Sequence, residues 1–249
     1  MPLTSLPIRI VLVATSHPGN IGAVARAMKN MGLQHLHLVR PLQFPHAEAT
    51  ARAAGADDIL ATAVVHDDLL GAVADCGLVV GTSARQRHIP FASIEPRECA
   101  RLVVDKASVG NAVALVFGAE RTGLTNFELS QCGTLVTIPT NEQYSSLNIA
   151  MAVQIIAYEV SLAARDKTAV IEALEPLATQ DELEQFYVHL QSMLAGTGFR
   201  DHTSEGHLMS RVRRLFNRAQ VDRNEIRILR GIVSAAEGKQ RVNTVGDTP

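Results

Sequence analysis

Short runs of apolar, β-branched residues alternate with segments whose apolar residues recur at helical spacing over the first two thirds of the chain. Strands buried on both faces read as continuous apolar runs, so this alternation predicts an α/β fold. We expect a mostly parallel, six-stranded sheet covered by helices on both faces. The six strands are predicted at 8–13, 35–39, 62–66, 78–81, 112–117 and 134–138.

Capping residues mark the starts of several predicted helices. Thr125 and Thr179 are each followed three positions later by a glutamate, which is the capping-box pattern. Asn20 is expected to cap a helix that begins one residue later. Ser145 or Ser146 is expected to cap the long apolar helix that follows.

The pattern changes after residue 165. The next stretch, 166–180, contains a proline and little periodicity, and no strand pattern follows it. We therefore predict one domain at 1–165, a linker at 166–180 and a small helical extension at 181–249. Apolar residues recur at helical spacing over 208–219, so one face of that helix is apolar.

Composition narrows the class of protein. The chain is 47% hydrophobic and 19% charged with a net charge of -2, which is typical of a globular protein. Its three cysteines are widely spaced and indicate neither a disulfide framework nor a metal site. The start of the chain lacks a signal-peptide pattern, and the longest apolar stretch, 149–158, is about half a membrane span. We expect a cytoplasmic protein with no membrane or metal partner.

Positive charge is concentrated in the extension. Residues 200–241 include ten Lys or Arg and five Asp or Glu. Arg211, Arg214 and Arg218 fall on a different helical face from the apolar residues. This local excess is a candidate contact for a polyanion, and a merely solvated helical face is the alternative.

Three segments carry candidate chemistry, and each follows a predicted strand, where parallel sheets place ligands. The first contains Asn20, Gly22 and Arg26. Gly22 and Arg26 are four residues apart and share a helix face, which is expected to leave room for a substrate backbone. The alternative is a simple turn followed by a surface cation.

The second segment sets Gly118 and Gly123 around Glu120 and Arg121. Glycines let a backbone approach a ligand closely and present free N–H groups. The segment lacks the phosphate-loop and dinucleotide fingerprints, which argues against a dinucleotide oxidoreductase. A strand-to-helix turn with a surface ion pair remains the alternative.

The third segment contains Ser145, Ser146, Leu147 and Asn148 in front of the most apolar helix. A serine cap explains the two serines but leaves Asn148 unexplained. A buried amide there needs hydrogen-bond partners.

In this order, the three segments resemble the motifs of the SPOUT methyltransferases: Asn-x-Gly-x-x-x-Arg, Phe-Gly-x-Glu-x-x-Gly-Leu and Ser-Ser-Leu-Asn. The resemblance extends to 81–85 and to 207–216, so it covers nearly the whole chain. It is closest to the branch that methylates the ribose 2′-hydroxyl of cytidine or uridine at position 32 of the tRNA anticodon loop.

The resemblance implies a C-terminal trefoil knot in the sheet domain, an exception to the rule that chains avoid threading. It implies S-adenosyl-L-methionine bound in the knot, with S-adenosyl-L-homocysteine as product, and a homodimer through the knot whose sites draw on both subunits. By position it also implies a set of cofactor-binding residues. These are Thr82, Ser83, Ala84, Gly118, Glu120, Ile138, Ser145, Ser146, Leu147 and Asn148.

The resemblance gives Arg26 the catalytic position. Arginine stays protonated in proteins, so we expect Arg26 to orient the hydroxyl and stabilise negative charge, with the proton acceptor unassigned. Asn20 is expected to hold Arg26 or the ribose, and Glu120, Arg121 and Tyr144 are secondary candidates. The expected tRNA contacts are Arg85, Arg87, Arg121, Arg211, Arg214 and Arg218.

The chain has no tryptophan and 4% aromatic residues, so we expect RNA shape and phosphates rather than extensive base stacking to dominate recognition. Two alternatives stay open at this point. One is an RNA-binding protein of the same fold without catalysis, and the other is a ribose methyltransferase acting on ribosomal RNA. The basic extension after the main domain favours tRNA.

Overall fold

The computed structural model describes residues 3–83, 93–166, 175–197, 199 and 208–245, with side chains described to residue 238 in the last helix. Its centre is a sheet in the order β3-β2-β1-β6-β4-β7-β5. Every neighbouring pair in this sheet is parallel. The strands are β1 (Ile8–Val13), β2 (His35–Val39), β3 (Val64–His66), β4 (Leu78–Thr82), β5 (Ser93–Ile94), β6 (Val113–Phe117) and β7 (Thr134–Val136).

The α/β class and the parallel sheet are confirmed, but the sheet has seven strands rather than six. The additional strand, β5, has two residues at the edge of the sheet, and within the described residues its neighbour is β7. Two residues carry no periodicity that a sequence pattern could reveal. The trefoil knot stays a prediction.

Ten helices lie within the described residues, after a short 3-10 turn at Leu3–Ser5. They are α1 (Pro18–Met31), α2 (Ala47–Ala53), α3 (Asp57–Ala61), α4 (Leu69–Val73), α5 (Pro96–Ser108), α6 (Asn126–Ser130), α7 (Ile149–Asp166), α8 (Gln180–Gly196), α9 (Leu208–Ala219) and α10 (Arg223–Val245). None of them combines the length and apolar character needed to cross a bilayer.

Successive strand residues point into two separate cores. In β1, Ile8, Ile10 and Leu12 belong to the core that α1, α5 and α7 cover. Val11 and Val13 belong to the core that α4 and α6 cover. This alternation follows from the two-residue repeat of a strand and explains why β1 is apolar except at Arg9, a partly buried residue whose guanidinium donates to Asp75.

The capping boxes at Thr125 and Thr179 are confirmed, at the starts of α6 and α8. The prediction that Asn20 caps α1 is wrong. The helix begins at Pro18, whose fixed φ suits the first helical position, with His17 at the cap. Asn20 therefore lies inside the first turn, and its side chain bonds elsewhere.

The start of α7 also differs from the prediction. Asn148, not Ser145 or Ser146, supplies the cap, because its side-chain oxygen accepts a hydrogen bond from the backbone N–H of Ala150 at 2.9 Å. Asn148 is exposed rather than buried. The asparagine that seemed unexplained therefore has a local structural role.

The helical extension has its own core, which includes Leu183, Phe186 and Tyr187. It docks onto the α4 and α6 side of the sheet. The backbone N–H groups of Gln180 and Asp181 donate to carbonyls of the segment 74–76 at 3.0 and 2.9 Å. Most of the predicted linker, 167–174, lies outside the described residues, so its boundaries stay predictions.

Candidate functional site

Glu120, in the loop after β6, is bound by the loop after β1. Its carboxylate accepts hydrogen bonds from the backbone N–H of Ser16 at 3.1 Å and from the Ser16 hydroxyl at 3.1 Å. It also accepts from the backbone N–H of His17 at 3.4 Å and from the side-chain amide of Asn20 at 3.0 Å. The first and second segments thus meet at one carboxylate.

The third segment joins them through Asn20. The side-chain N–H of Asn148 donates to the side-chain oxygen of Asn20 at 3.0 Å. Asn148 in turn caps α7. A continuous set of hydrogen bonds therefore runs from the start of α7 through Asn148 and Asn20 to Glu120, and it fixes the three loops relative to one another.

The hydrogen bonds decide the protonation state of Glu120. Partial burial acts to raise the pKa of this carboxyl, but hydrogen bonds from Asn20 and from backbone N–H groups outweigh burial and lower the pKa below its usual value. Glu120 is therefore a carboxylate at neutral pH. A carboxylate with a lowered pKa and several donors already bound is a weak proton acceptor.

A cavity of about 180 Å³ opens beside Glu120, between the loops that follow β4, β6 and β7. Its walls combine apolar side chains with hydroxyl groups and loop backbone. The lining residues are Thr82, Ser83, Phe117, Gly118, Ala119, Glu120, Arg121, Thr122, Gly123, Leu124, Leu129, Val136, Ile138, Ser145, Ser146, Leu147, Ile149 and Ala152.

Hydrogen bonds anchor the walls of this cavity to the sheet. The Thr82 hydroxyl donates to the carbonyl of Val116 at 3.1 Å, and the Ser83 N–H donates to the carbonyl of Val136 at 3.1 Å. On the third loop, the Thr140 hydroxyl donates to the carbonyl of Ser145 at 3.3 Å. The cavity is thus formed largely in advance of any ligand.

The fold of the loop after β6 requires a glycine at position 118. A Cβ at this position would lie 2.2 Å from the backbone of Gly123 and Leu124. The loop folds back on itself, with the Gly123 N–H donating to the Ala119 carbonyl at 2.8 Å. Loop backbone thus occupies the position that a Cβ would take, and Gly118 also lines the cavity. Its expected contact with a ligand stays a prediction.

Eight of the ten predicted cofactor-binding residues line this same cavity. Asn148 is not among the lining residues and acts instead as the cap and as the partner of Asn20. Ala84 lies outside the described residues.

Gly22 has a different role from the one expected. A Cβ on Gly22 would lie 2.0 Å from the backbone oxygen of Ala49, so the glycine allows α1 and α2 to pack closely. It leaves no room for a substrate, and this expectation is wrong. Arg26, one turn later, is exposed and has no hydrogen bond or ion pair with any described residue. It is not part of the cavity wall.

The predicted RNA contacts fall into three groups. Arg121 is exposed at the cavity, and Arg211 and Arg218 are exposed on α9. Arg214 is half-buried and has an interaction within the protein. Arg85 and Arg87 lie outside the described residues.

Ser16 and His17 were missed by the sequence analysis as partners of Glu120. The available signal was their position directly after a buried strand, next to Asn20. The apolar lining residues Phe117, Leu124 and Leu129 were also missed, because they look like ordinary core residues. Within the described ranges, no group of three or more His, Cys, Asp or Glu is placed to hold a metal ion.

Comparison with protein families identifies the class. The profile described as "SpoU rRNA Methylase family" matches residues 7–158, and the profile "tRNA methyltransferase TrmJ, C-terminal domain" matches residues 181–245. The chain therefore belongs to the SpoU methylase family.

Individual relatives place it in the TrmJ branch of that family. A tRNA (cytidine/uridine-2'-O-)-methyltransferase TrmJ from Sodalis glossinidius (strain morsitans) is 51% identical over 240 residues, covering 95% of this chain and 94% of the relative. A tRNA (cytidine/uridine/adenosine-2'-O-)-methyltransferase TrmJ from Pseudomonas aeruginosa (strain UCBPP-PA14) is 50% identical over 240 residues, covering 92% and 93%. The crystal structure of TrmJ from Z. mobilis ZM4 superposes with a TM-score of 0.81 at 35% identity, covering 92% of this chain and 98% of that one. The resemblance indicated by the three motifs is confirmed.

Proposed function

We propose that this protein transfers a methyl group from S-adenosyl-L-methionine to the ribose 2′-hydroxyl of cytidine or uridine at position 32 of the tRNA anticodon loop. The observation that carries this proposal is the convergence of the three motif loops on Glu120, beside a cavity. The TrmJ relatives, about half identical over almost the full chain, support the reaction class and a tRNA substrate.

The chemistry of the cavity fits S-adenosyl-L-methionine. Phe117, Ile138 and Leu147 offer apolar surface for an adenine ring, and serine hydroxyls and loop backbone offer partners for a ribose. The ionised Glu120 supplies negative charge near a donor that carries a sulfonium cation. We assign donor binding to the residues that line this cavity.

The donor supplies an activated methyl group, so the task of the protein is to hold the 2′-hydroxyl in line with that methyl and to help the proton leave. Arg26 is the group assigned to the hydroxyl. A protonated guanidinium orients the oxygen and stabilises its developing negative charge. Glu120 is a weak proton acceptor because its pKa is lowered and its oxygens already accept several hydrogen bonds, so the acceptor of the proton stays unassigned.

Asn20 acts chiefly by joining the loops. Its amide uses one N–H on Glu120 and its oxygen on Asn148, which leaves its second N–H as the group able to reach a ribose oxygen. The earlier expectation that Asn20 holds Arg26 finds no support, because the described contacts of Asn20 are with Glu120 and Asn148.

A homodimer through the knot would complete the site. Tyr144, beside the cavity loop, is 82% exposed, and Met151 and Tyr158, seven residues apart on α7, are 62% and 50% exposed. Met151 and Tyr158 fall on one face of α7, and exposed apolar side chains that share a face are candidates for a contact between proteins. We assign these side chains to the contact with a second copy.

A tRNA substrate also implies a cytoplasmic protein, in keeping with the three free, buried cysteines.

The test is to incubate the purified protein with labelled S-adenosyl-L-methionine and either unmodified tRNA transcripts or ribosomal RNA. Digested RNA is then analysed for 2′-O-methylnucleosides by mass spectrometry. We expect 2′-O-methylcytidine and 2′-O-methyluridine in tRNA, with adenosine included as a third acceptor because the Pseudomonas relative's name contains it. Methylation of ribosomal RNA alone would contradict the proposal. Donor binding without transfer to either RNA would favour a non-catalytic RNA-binding protein.

A further inference from the structure

Asn217 of α9 is buried where the helical extension meets the sheet domain, with 5% of its surface exposed. Its side-chain N–H donates to the backbone carbonyl of Ser130, the last residue of α6, at 2.9 Å. Its side-chain oxygen accepts from the hydroxyl of Tyr187 on α8 at 3.0 Å. This one amide joins two helices of the extension to α6, and both of its polar atoms are satisfied.

A second contact lies beside it. A Cβ on Gly133, in the turn between α6 and β7, would lie 2.5 Å from the backbone oxygen of Asn217. The backbone of α9 therefore rests directly on this turn, and only a glycine permits that approach. The contact consists of a directional hydrogen bond on one side and close packing on the other.

The segment held by Asn217 forms a wall of the cavity. Leu129, adjacent to Ser130 on α6, lines the cavity, and so does Val136 at the end of β7. Both side chains are buried. Because α6 has five residues and its start is fixed by the Thr125 capping box, a displacement of its last residue moves the wall rather than being absorbed along the helix.

We propose that Asn217 is a positioning residue for the methyl donor: by holding Ser130 and Gly133 from behind, it fixes the cavity wall formed by α6 and β7. The inference rests on the proposed function of the cavity as the donor site. It gives the extension a role that does not involve RNA. Arg211 and Arg218 on the same helix face solvent, whereas Asn217 faces the sheet domain.

The experiment measures the affinity of the full chain for S-adenosyl-L-methionine by calorimetry without RNA. Asn217→Ala removes the bond to Ser130, and Gly133→Ala pushes α9 away from the other side. We expect either variant to raise the Kd for the donor by about 2- to 30-fold, the range usual for residues that act through a packed neighbour. In steady-state assays the KM for the donor should rise, with kcat recovering at saturating donor and the KM for tRNA little changed.

Two control variants separate this role from general loosening of the extension. Asn224→Ala removes an exposed asparagine at the start of α10, and Val233→Ala weakens the core of the extension without touching Ser130 or Gly133. Both should bind the donor as the parent protein does, although Val233→Ala should melt at a lower temperature.

The outcomes are distinguishable. A parent protein that does not bind the donor would defeat the proposed function itself. Folded Asn217→Ala and Gly133→Ala proteins that bind the donor as tightly as the parent would overturn the role of Asn217. An equal loss in Val233→Ala would overturn it as well, because the effect would then come from the stability of the extension. If Asn217→Ala does not fold, Gly133→Ala decides.

Discussion

The main role of Glu120 is to accept hydrogen bonds from the neighbouring loops rather than to take a proton from the substrate. Ser16, His17 and Asn20, in the loop after β1, donate hydrogen bonds to its carboxylate. Asn148, at the start of α7, donates to Asn20 and so connects that helix to the same group. A carboxylate accepts several hydrogen bonds at once, which no neutral side chain of its size does as well. At the scale of single residues, the site is therefore organised around one half-buried acceptor.

Replacing Glu120 by glutamine tests this role through pH. The carboxylate has a lowered pKa, so its stabilising contribution is complete above its unfolded pKa, about 4.3, and is lost as the pH falls through the lower folded pKa. Glu120→Gln places N–H groups among donors and should melt at a lower temperature than the parent protein at neutral pH. The gap should narrow below about pH 4.

Melting curves by circular dichroism between about pH 8 and about pH 3 measure this gap. Glu142→Gln, at an exposed glutamate in the loop between β7 and α7, is the matched control and should melt as the parent does throughout. A gap for Glu120→Gln that is absent at neutral pH, or that persists unchanged in acid, would be inconsistent with a carboxylate held by donors.

Some residue roles could be predicted from the sequence and others could not. Glu120 and the cavity serines follow from motif position, since such loops follow parallel strands. The roles of Gly22, Gly118 and Asn148 could not be predicted, because a close backbone approach and a cap both depend on the exact course of neighbouring chain.

At the scale of elements, the packing of α1 on α2 sets the position of the first motif. Gly22→Ala should be strongly destabilising, because its Cβ would overlap the carbonyl of Ala49. Overpacking of this kind costs about 1–3 kcal/mol or more, which a melting experiment detects. Gly231→Ala, on α10 with nothing within 4 Å of the added Cβ, is the matched control and should be neutral or stabilising by up to about 1 kcal/mol.

The same pair of variants tests the rejected role of Gly22. If this glycine made space for RNA, Gly22→Ala would melt normally and show only a raised KM for tRNA. That result would refute the packing role assigned to it.

Elements with strong local signals could be predicted, and weak ones could not. The long strands, the two capping boxes and α9 agree with their sequence patterns. β5 is too short for a pattern, and its pairing with β7 is a tertiary contact. α1 begins at Pro18 because proline fits the first helical position, a rule that competed with the capping preference of Asn20.

At the scale of the whole molecule, tRNA binding should depend on the basic face of α9. Arg211 and Arg218 are exposed there, and cations that contact phosphate release counterions on binding. Arg211→Ala and Arg218→Ala should each weaken tRNA binding and flatten the plot of log affinity against log salt by about 0.7 to 0.9. Fluorescence anisotropy over a salt series measures the slope.

Arg165→Ala is the control for this experiment. Arg165 is exposed beside Leu3 and Gly32, at the amino end of the sheet and away from the site. Its removal should leave the slope unchanged. An affinity of the parent protein that does not change between low and moderate salt would contradict recognition through phosphates.

The organisation of the whole chain could be predicted because three motifs, each weak by itself, occur in a fixed order after β1, β6 and β7. A knot depends on how the chain threads through itself, and a dimer depends on a second copy of the chain. Neither can be predicted from a local pattern of residues. The docking of the extension through Asn217 was equally hidden, since a polar residue in the helix 208–219 looks solvent-facing by its sequence alone.

The most direct test of the central claim is methyl transfer from labelled S-adenosyl-L-methionine to a tRNA transcript, compared with the same transcript carrying a 2′-deoxy nucleotide at position 32. The parent protein and Arg165→Ala should both label the normal transcript. Label should disappear with the deoxy transcript and fall to background with Arg26→Ala, even though that variant still binds the donor. Undiminished labelling of the deoxy transcript, or full activity of Arg26→Ala, would contradict the account.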